Sequence, residues 1–397
     1  MTTRRTILKT GTVTAAGLSV GIFPGPAKAA PPTSTTPDVA RLQAALDQFA
    51  AVGAATGVLA EVRDISGWAW RGSAGVAELG TSRRVPTNGR FRVGSVTKSF
   101  VATVVLQLVG ERRMSLDDPL ARWYPGIVPN ADRITVRHLL QHTSGVFNYT
   151  DRLFELYPTI DDILRIRYRH WTPAEIMAII DGQPALFEPG TEWSYSNTNY
   201  ILLALIIKRV TGRDYASEVD RRILRPLRLT AADVPGDNPF IKGPHSHGYE
   251  PALRGEVVEP VDVTVFNPSV AWAAGEMTST TTDLNRFFGA LMSGRLLRPA
   301  QLAEMRTSFR DAEYGLGLQS FQLPCGRLWG HTGGIFGYIT LSASTEDGRR
   351  QLSLSINPWI EGDPNPPLLD LALAAFCDPS EAARAAVSAA PRLLSRW

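Results

Sequence analysis

Between residues 91 and 110 the chain changes its hydrophobic period. Phe91 and Val93 flank Arg92 as in a short strand that stops at Gly94. Then Val96, Phe100, Val101, Val104, Val105, Leu108 and Val109 recur at helical spacing, and Gly110 is expected to end the helix as its C′ glycine. Before this stretch, Asp38 precedes an amphipathic helix with Val39, Leu42, Leu46 and Phe49 on one face. Strand-like runs follow at 57–62, 67–71 and 75–79, linked by Gly and Asp turns. From about 111 to 300 the pattern is mostly helical. Thr172-Pro173-Ala174-Glu175 forms a capping box ahead of Ile176, Met177, Ile179 and Ile180. Strand periodicity returns at 314–318, 327–330, 338–344 and 351–356, with Asp347-Gly348 as a hairpin turn, and 367–376 is a final apolar helix ending at Cys377.

Strands at both ends with helices between them predict an α/β (α+β) fold. One antiparallel sheet is built from the N- and C-terminal segments and flanked by helices, with an inserted, mostly helical lobe. The expected domain spans 38–397, with an α/β lobe at about 38–110 and 301–397 and a helical lobe at about 111–300. The cleft between lobes is the expected binding site.

Residues 1–29 carry a twin-arginine start (Arg4-Arg5), a mild apolar run and Ala27-Lys28-Ala29 as a small-x-small cleavage site. Residues 30–37 read as a flexible spacer. The expectation is an exported, extracytoplasmic protein without a membrane anchor, since no later apolar run approaches the roughly 18 residues a span needs. The formal charge of +3 is due to this leader, whose four cations and absent acids leave the remainder at −1. That balance argues against a nucleic-acid partner. Cys325 and Cys377 are either one disulfide closing the C-terminal segment or two buried thiols.

The candidate chemistry starts at Ser95-Val96-Thr97-Lys98. A serine at a helix start has unpaired N–H groups around it, and a lysine three residues on lies on the same face. The chain has 5 Lys against 36 Arg, so a lysine here is a choice of the one cation that can lose its proton when buried. Read alone, the same stretch is a serine cap followed by a helix lysine. Tyr195, in Trp193-Ser194-Tyr195-Ser196-Asn197, is a phenol that a neighbouring ammonium would help to ionise, and Asn197 offers an amide to both the amine and a substrate carbonyl. Asn197 also reads as the cap of the helix that follows. In Trp329-Gly330-His331-Thr332-Gly333-Gly334, strand glycines mark a close backbone approach. An edge strand there would point His331 and Thr332 into the cleft, and the Gly334 N–H would pair with that of Ser95 as an oxyanion hole. The one G-x-S-x-G match, 17–21, falls in the leader, and His245-Ser246-His247 lacks flanking ligands for zinc. No phosphate-binding or dinucleotide glycine pattern occurs.

Taken in order, S-x-x-K, Y-S-N and H-T-G make the chain similar to the penicillin-recognising serine hydrolases, the class C β-lactamases and above all the secreted D-alanyl-D-alanine carboxypeptidases. The resemblance extends through 91–100, Ile134-Thr135-Val136-Arg137, His142-Thr143-Ser144-Gly145, 194–199, Leu291-Met292-Ser293-Gly294, Tyr314-Gly315-Leu316-Gly317-Leu318 and Gly337-Tyr338. It implies Ser95 as the acylated nucleophile, Lys98 and Tyr195 as the proton-transfer pair, Asn197 as a substrate ligand, and Thr332 as the group that binds a terminal carboxylate. It also implies Trp272 and Phe154 as cleft walls, a Cys325–Cys377 disulfide, a D-amino-acid-terminated peptide or β-lactam as substrate, no cofactor, no metal, and a monomer. Two departures stand out. Gln319 occupies the position where the carboxypeptidases hold the carboxylate with Arg, and Gly334 stands where they usually carry Thr. The expected activity is a D-Ala-D-Ala carboxypeptidase. An esterase, amidase or β-lactamase of the same fold is the alternative, and a non-catalytic penicillin-binding sensor is the remote one.

Overall fold

The computed structural model describes residues 36–379 apart from Ile360. The leader, most of the spacer and the Ala-rich stretch 381–390 lie outside the described residues. Helix α1 (Val39–Ala51) is followed by β1 (Ala55–Asp64), β2 (Ala69–Gly75), the two-residue β3 (Phe91–Arg92) and helix α2 (Thr97–Gly110). Later come β4 (Tyr249–Arg254), β5 (Val257–Asp262), β6 (Thr278–Ser279), β7 (Gln319–Leu323), β8 (Gly326–Ile335), β9 (Tyr338–Thr345) and β10 (Arg350–Pro358). The main sheet runs β2-β1-β10-β9-β8-β7 and every pair in it is antiparallel, so both chain ends build one sheet as the periodicity predicts.

Period-two alternation assigns the two faces. On β10, Leu352, Leu354 and Ile356 face a core shared with Leu42, Leu46 and Phe49 of α1 and with Leu368, Leu371 and Phe376 of the helix Asn365–Phe376. Ser353 turns to the other face, where it donates to Asn285 Oδ1 (2.7 Å) on the helix Thr281–Met292. Beyond that helix lies the larger core around α2, which is buried on nearly every side, as its all-round apolar sequence requires.

The structure differs from the sequence reading at several points. The run 67–71 becomes β2, which extends to Gly75, whereas the run expected at 75–79 leaves the sheet there. Gly75 turns the chain out at φ 74°, and a Cβ there would stand 2.3 Å from the Thr56 carbonyl oxygen. Residues 314–318 are a loop rather than a strand, because Gly317 at φ 75° packs directly on Ala102 and the Tyr200 hydroxyl. The β4–β5 hairpin falls in the stretch read as mostly helical, with Gly255 at φ 64° in its turn. Gly110 closes α2 without adopting a left-handed conformation, which Arg112 takes instead at φ 60°.

Cys325, just before β8, and Cys377, after the last helix, form a disulfide across 52 residues of sequence. On a chain-entropy basis a loop of 52 residues is worth about 4 kcal/mol. The Cys325→Ser/Cys377→Ser double variant is expected to lower Tm by several degrees in a calorimetric scan while leaving kcat within about twofold, because the bond holds the outer layer, remote from Ser95.

Candidate active site

Ser95 lies in a 3-10 turn, Gly94–Val96, that feeds directly into α2. The turn exists because β8 crosses it backbone to backbone. A Cβ on Gly94 would stand 2.9 Å from the Gly334 nitrogen, and one on Gly333 would stand 2.0 Å from the Val93 carbonyl oxygen and 3.0 Å from the Ser95 nitrogen. Glycine at both positions therefore brings the Ser95 and Gly334 N–H groups side by side.

Whether that second N–H is free follows from the ladder. Thr332 N–H points away from β9, donating to Gln319 Oε1 at 2.7 Å, and in an antiparallel pair the residue two positions on points the same way. Gly334 N–H thus faces the open edge. β7 covers β8 only up to the Gln319–Gly330 pair, so the expected edge strand exists over residues 331–335 although β8 as a whole is internal.

Lys98 is fully buried and its Nζ has three partners: Ser95 Oγ at 2.9 Å, Asn197 Oδ1 at 2.7 Å and the Ala274 carbonyl oxygen at 2.7 Å. No carboxylate is among them, and burial drives the amine well below its usual value. A neutral amine fits this geometry: its two N–H bonds go to the two carbonyl oxygens, and its lone pair remains for the Ser95 hydroxyl proton. Glu276, the nearest acid in the Ala274 segment by sequence, does not oppose this. Burial pushes its carboxyl up to about 8, so at neutral pH it is mostly protonated, hydrogen-bonded with the Tyr215 hydroxyl.

Tyr195 is half-buried, with a buried hydroxyl that closes no hydrogen bond of its own. Burial raises the phenol well above its ordinary range, and only the interaction with Ser95 draws it back. Lys98 Nζ sits 4.9 Å from the Tyr195 ring centroid. Burial thus works against the charged form of both groups, lowering the amine and raising the phenol, where the sequence reading had an ammonium assisting a phenolate. Asn197 opens the helix Thr198–Thr211 but spends its amide elsewhere, accepting from Lys98 and donating Nδ2 to Thr150 Oγ1 at 3.1 Å. One of the two N–H bonds of that amide is thus engaged by Thr150.

The remaining sequence candidates are distributed around this centre. His331 is fully buried, not in the cleft. Its Nε2 meets the Tyr314 hydroxyl at 2.9 Å, and burial lowers the imidazole to about 3. Thr332 gives both its N–H (2.7 Å) and its hydroxyl (2.9 Å) to Gln319 Oε1, so neither donor is left for a substrate carboxylate. Trp272, half-buried at φ 37°, opens the short helix that supplies Ala274 and packs edge-on against Tyr215. Phe154 is 50% exposed and meets Phe336, two residues beyond Gly334, at 6.3 Å. Sequence reasoning assigned no role to His142, Trp193 or Tyr314, whose rings wall in Tyr195, or to Tyr200, whose ring packs against His142. Nor did it see Arg92, whose buried guanidinium donates to the carbonyls of Pro239, Thr264 and Phe266 just ahead of the Ser95 turn. The H-T-S-G and Y-G-L-G-L stretches were the available signal for two of these. Among the described residues no His/Cys/Asp/Glu group has metal-site geometry, His247 pairing with Asp262 instead, and no helix is long and apolar enough to cross a membrane.

A serine facing a buried amine and phenol, with two backbone N–H groups beside it, is the arrangement of a serine hydrolase. The family described as Beta-lactamase matches residues 42–347, and the chain belongs to that family. Among solved structures it is similar to a D-stereospecific amidohydrolase from a Streptomyces species (40% identity, TM-score 0.77, 86% of this chain and 99% of that one). It is also similar to D-amino acid amidase from Ochrobactrum anthropi, solved with D-phenylalanine (28%, TM-score 0.73, 84% and 98%). Among curated relatives, it matches penicillin-binding protein 4* of Bacillus subtilis at 28% identity over 70% of this chain and 63% of that protein. Esterase EstB of Burkholderia gladioli matches at 28% over 76% and 79%. The chain thus spans less than two thirds of that penicillin-binding relative.

Proposed function

We propose that this protein is an exported serine amidohydrolase that cleaves amide and ester bonds following a D-configured acyl unit, and that it takes substrates without a free carboxylate on the leaving side. The observation that carries this reading is the pair of Thr332 donors already given to Gln319, a neutral side chain. A terminal carboxylate would meet no cation and no free hydroxyl there, and charge-assisted bonds are the strong ones. The D-configuration is taken from the names of the amidohydrolase and amidase relatives. The disulfide supports an oxidising compartment, in line with the twin-arginine leader.

In this reading Ser95 Oγ attacks the carbonyl as its proton passes to Lys98 Nζ. The Ser95 and Gly334 N–H groups hold the developing oxyanion. Tyr195 donates its phenolic proton to the leaving nitrogen or oxygen and is resupplied from the Lys98 ammonium. Water then enters by the reverse proton path and releases the acid.

The deciding experiment compares release of ammonia from D-phenylalaninamide with release of D-alanine from an N-acylated D-Ala-D-Ala peptide. The expected kcat/KM is at least about tenfold higher for the amide, since one charge-assisted bond is worth about 1.5–3 kcal/mol. Preference for the D-Ala-D-Ala peptide overturns the reading in favour of a carboxypeptidase. Gln319→Arg is expected to raise D-alanine release about tenfold by restoring that bond.

A further inference from the structure

Beneath Tyr195 lies a line of buried polar side chains that take no part in the proton path above. His142 Nδ1 receives two N–H groups, from the Ser196 backbone at 3.2 Å and from Asn199 Nδ2 at 3.1 Å. Asn199 is itself fixed, since its Oδ1 accepts from the Ser144 hydroxyl at 2.6 Å. His142 Nδ1 is therefore an acceptor and Nε2 carries the hydrogen. That Nε2 faces the Tyr314 hydroxyl at 3.2 Å, and the same hydroxyl faces His331 Nε2 at 2.9 Å. His331 Nδ1 lies against the Thr332 carbonyl oxygen, so Nδ1 is its donor and Nε2 its acceptor. Every bond then runs in one direction: Asn199 and Ser196 to His142, His142 to Tyr314, Tyr314 to His331, His331 to the β8 backbone. The His142 ring supports the Tyr195 ring at 4.2 Å between centroids, and Tyr314 meets it edge-on at 6.3 Å.

We propose that His142, Tyr314 and His331 act as a positioning chain for Tyr195, tying the segment that carries the phenol to the strand that carries Gly334. The inference rests on the Ser95–Lys98–Tyr195 reading above. The chain leaves no place for a further proton. On His142 it would oppose two N–H donors; on His331 it would leave the Tyr314 hydroxyl hydrogen without its acceptor. Burial comes first for both, Lys98 adds to it for both, and His331 adds to it for His142; the Thr332 carbonyl, accepting from His331 Nδ1, opposes it in part for His331. Both rings are thus held uncharged, and Tyr195 rests on a neutral support that does not draw off its proton.

Two measurements test this. In histidine-labelled wild-type protein, imidazole nitrogen NMR is expected to show His142 as the Nε2–H tautomer and His331 as the Nδ1–H tautomer, unchanged from about pH 5 to 9. Titration of either ring in that range, or the opposite tautomers, overturns the proposal. Tyr314→Phe is expected to lower kcat about tenfold or more with KM within about twofold, as misplacing a proton donor does. The Cys325→Ser/Cys377→Ser variant, which loses stability elsewhere, keeps its kcat. Wild-type kcat in a folded Tyr314→Phe variant overturns the proposal, and the NMR result decides it should that variant fail to fold. Ser95→Ala distinguishes the two levels: full activity there defeats the serine reading itself, whereas an inactive Ser95→Ala beside an unaffected Tyr314→Phe defeats only the positioning chain.

Discussion

Lys98→Met is expected to lower kcat/KM by about 10³-fold or more while the protein stays folded, as the methionine fills much of the same buried volume. The size of the effect follows from the three contacts of Nζ. With the two carbonyl oxygens taking its hydrogens, the amine's lone pair is left for the serine proton. Lys98→Arg is expected to fail equally, because a guanidinium keeps its proton. The pH profile follows from the direction of the Lys98 shift. Burial lowers the amine well below 10.5, so the acid limb of kcat/KM, where the amine regains its proton, is expected well below that value. An acid limb near 10.5 in kcat/KM would show an ordinary, exposed lysine and contradict this account.

Gly333→Ala is the second large effect. The added methyl would meet the Val93 carbonyl oxygen at 2.0 Å, a contact that only backbone movement can relieve. Overpacking of this kind costs about 3 kcal/mol or more. The movement it forces also separates Gly334 N–H from Ser95 N–H, and losing one oxyanion donor costs about 10²–10³ in kcat. A lowered Tm together with a kcat loss of at least about 10² is the expected outcome. A Gly333→Ala variant of wild-type activity would show that the strand does not carry the oxyanion site.

Ser95 and Lys98 were legible because helix periodicity alone sets their relative positions, and Tyr195 because two further short stretches accompanied them in order. The sheet was legible because β1, β9 and β10 alternate cleanly. The proton positions were not. The sequence suggested an ammonium assisting a phenolate, whereas burial of the site lowers the amine and raises the phenol, acting against both charged forms. His331 looked like a cleft residue, but its direction depends on Tyr314, a hydroxyl 17 positions earlier in a loop whose shape Gly317 dictates. The role of Gln319 was visible only as a departure from a related pattern, and its two bonds from Thr332 depend on β7 ending where it does. What failed to show in the sequence was long-range in each case: a partner from a distant segment, or the solvent that segment excludes.

The most direct test of the central claim is mass spectrometry of the protein quenched during turnover of an activated D-aminoacyl ester. The account predicts an adduct of the acyl mass on the peptide containing Ser95, absent from Ser95→Ala, whose turnover falls to background. Turnover undiminished by Ser95→Ala, or an acyl group carried on a different residue, would contradict it.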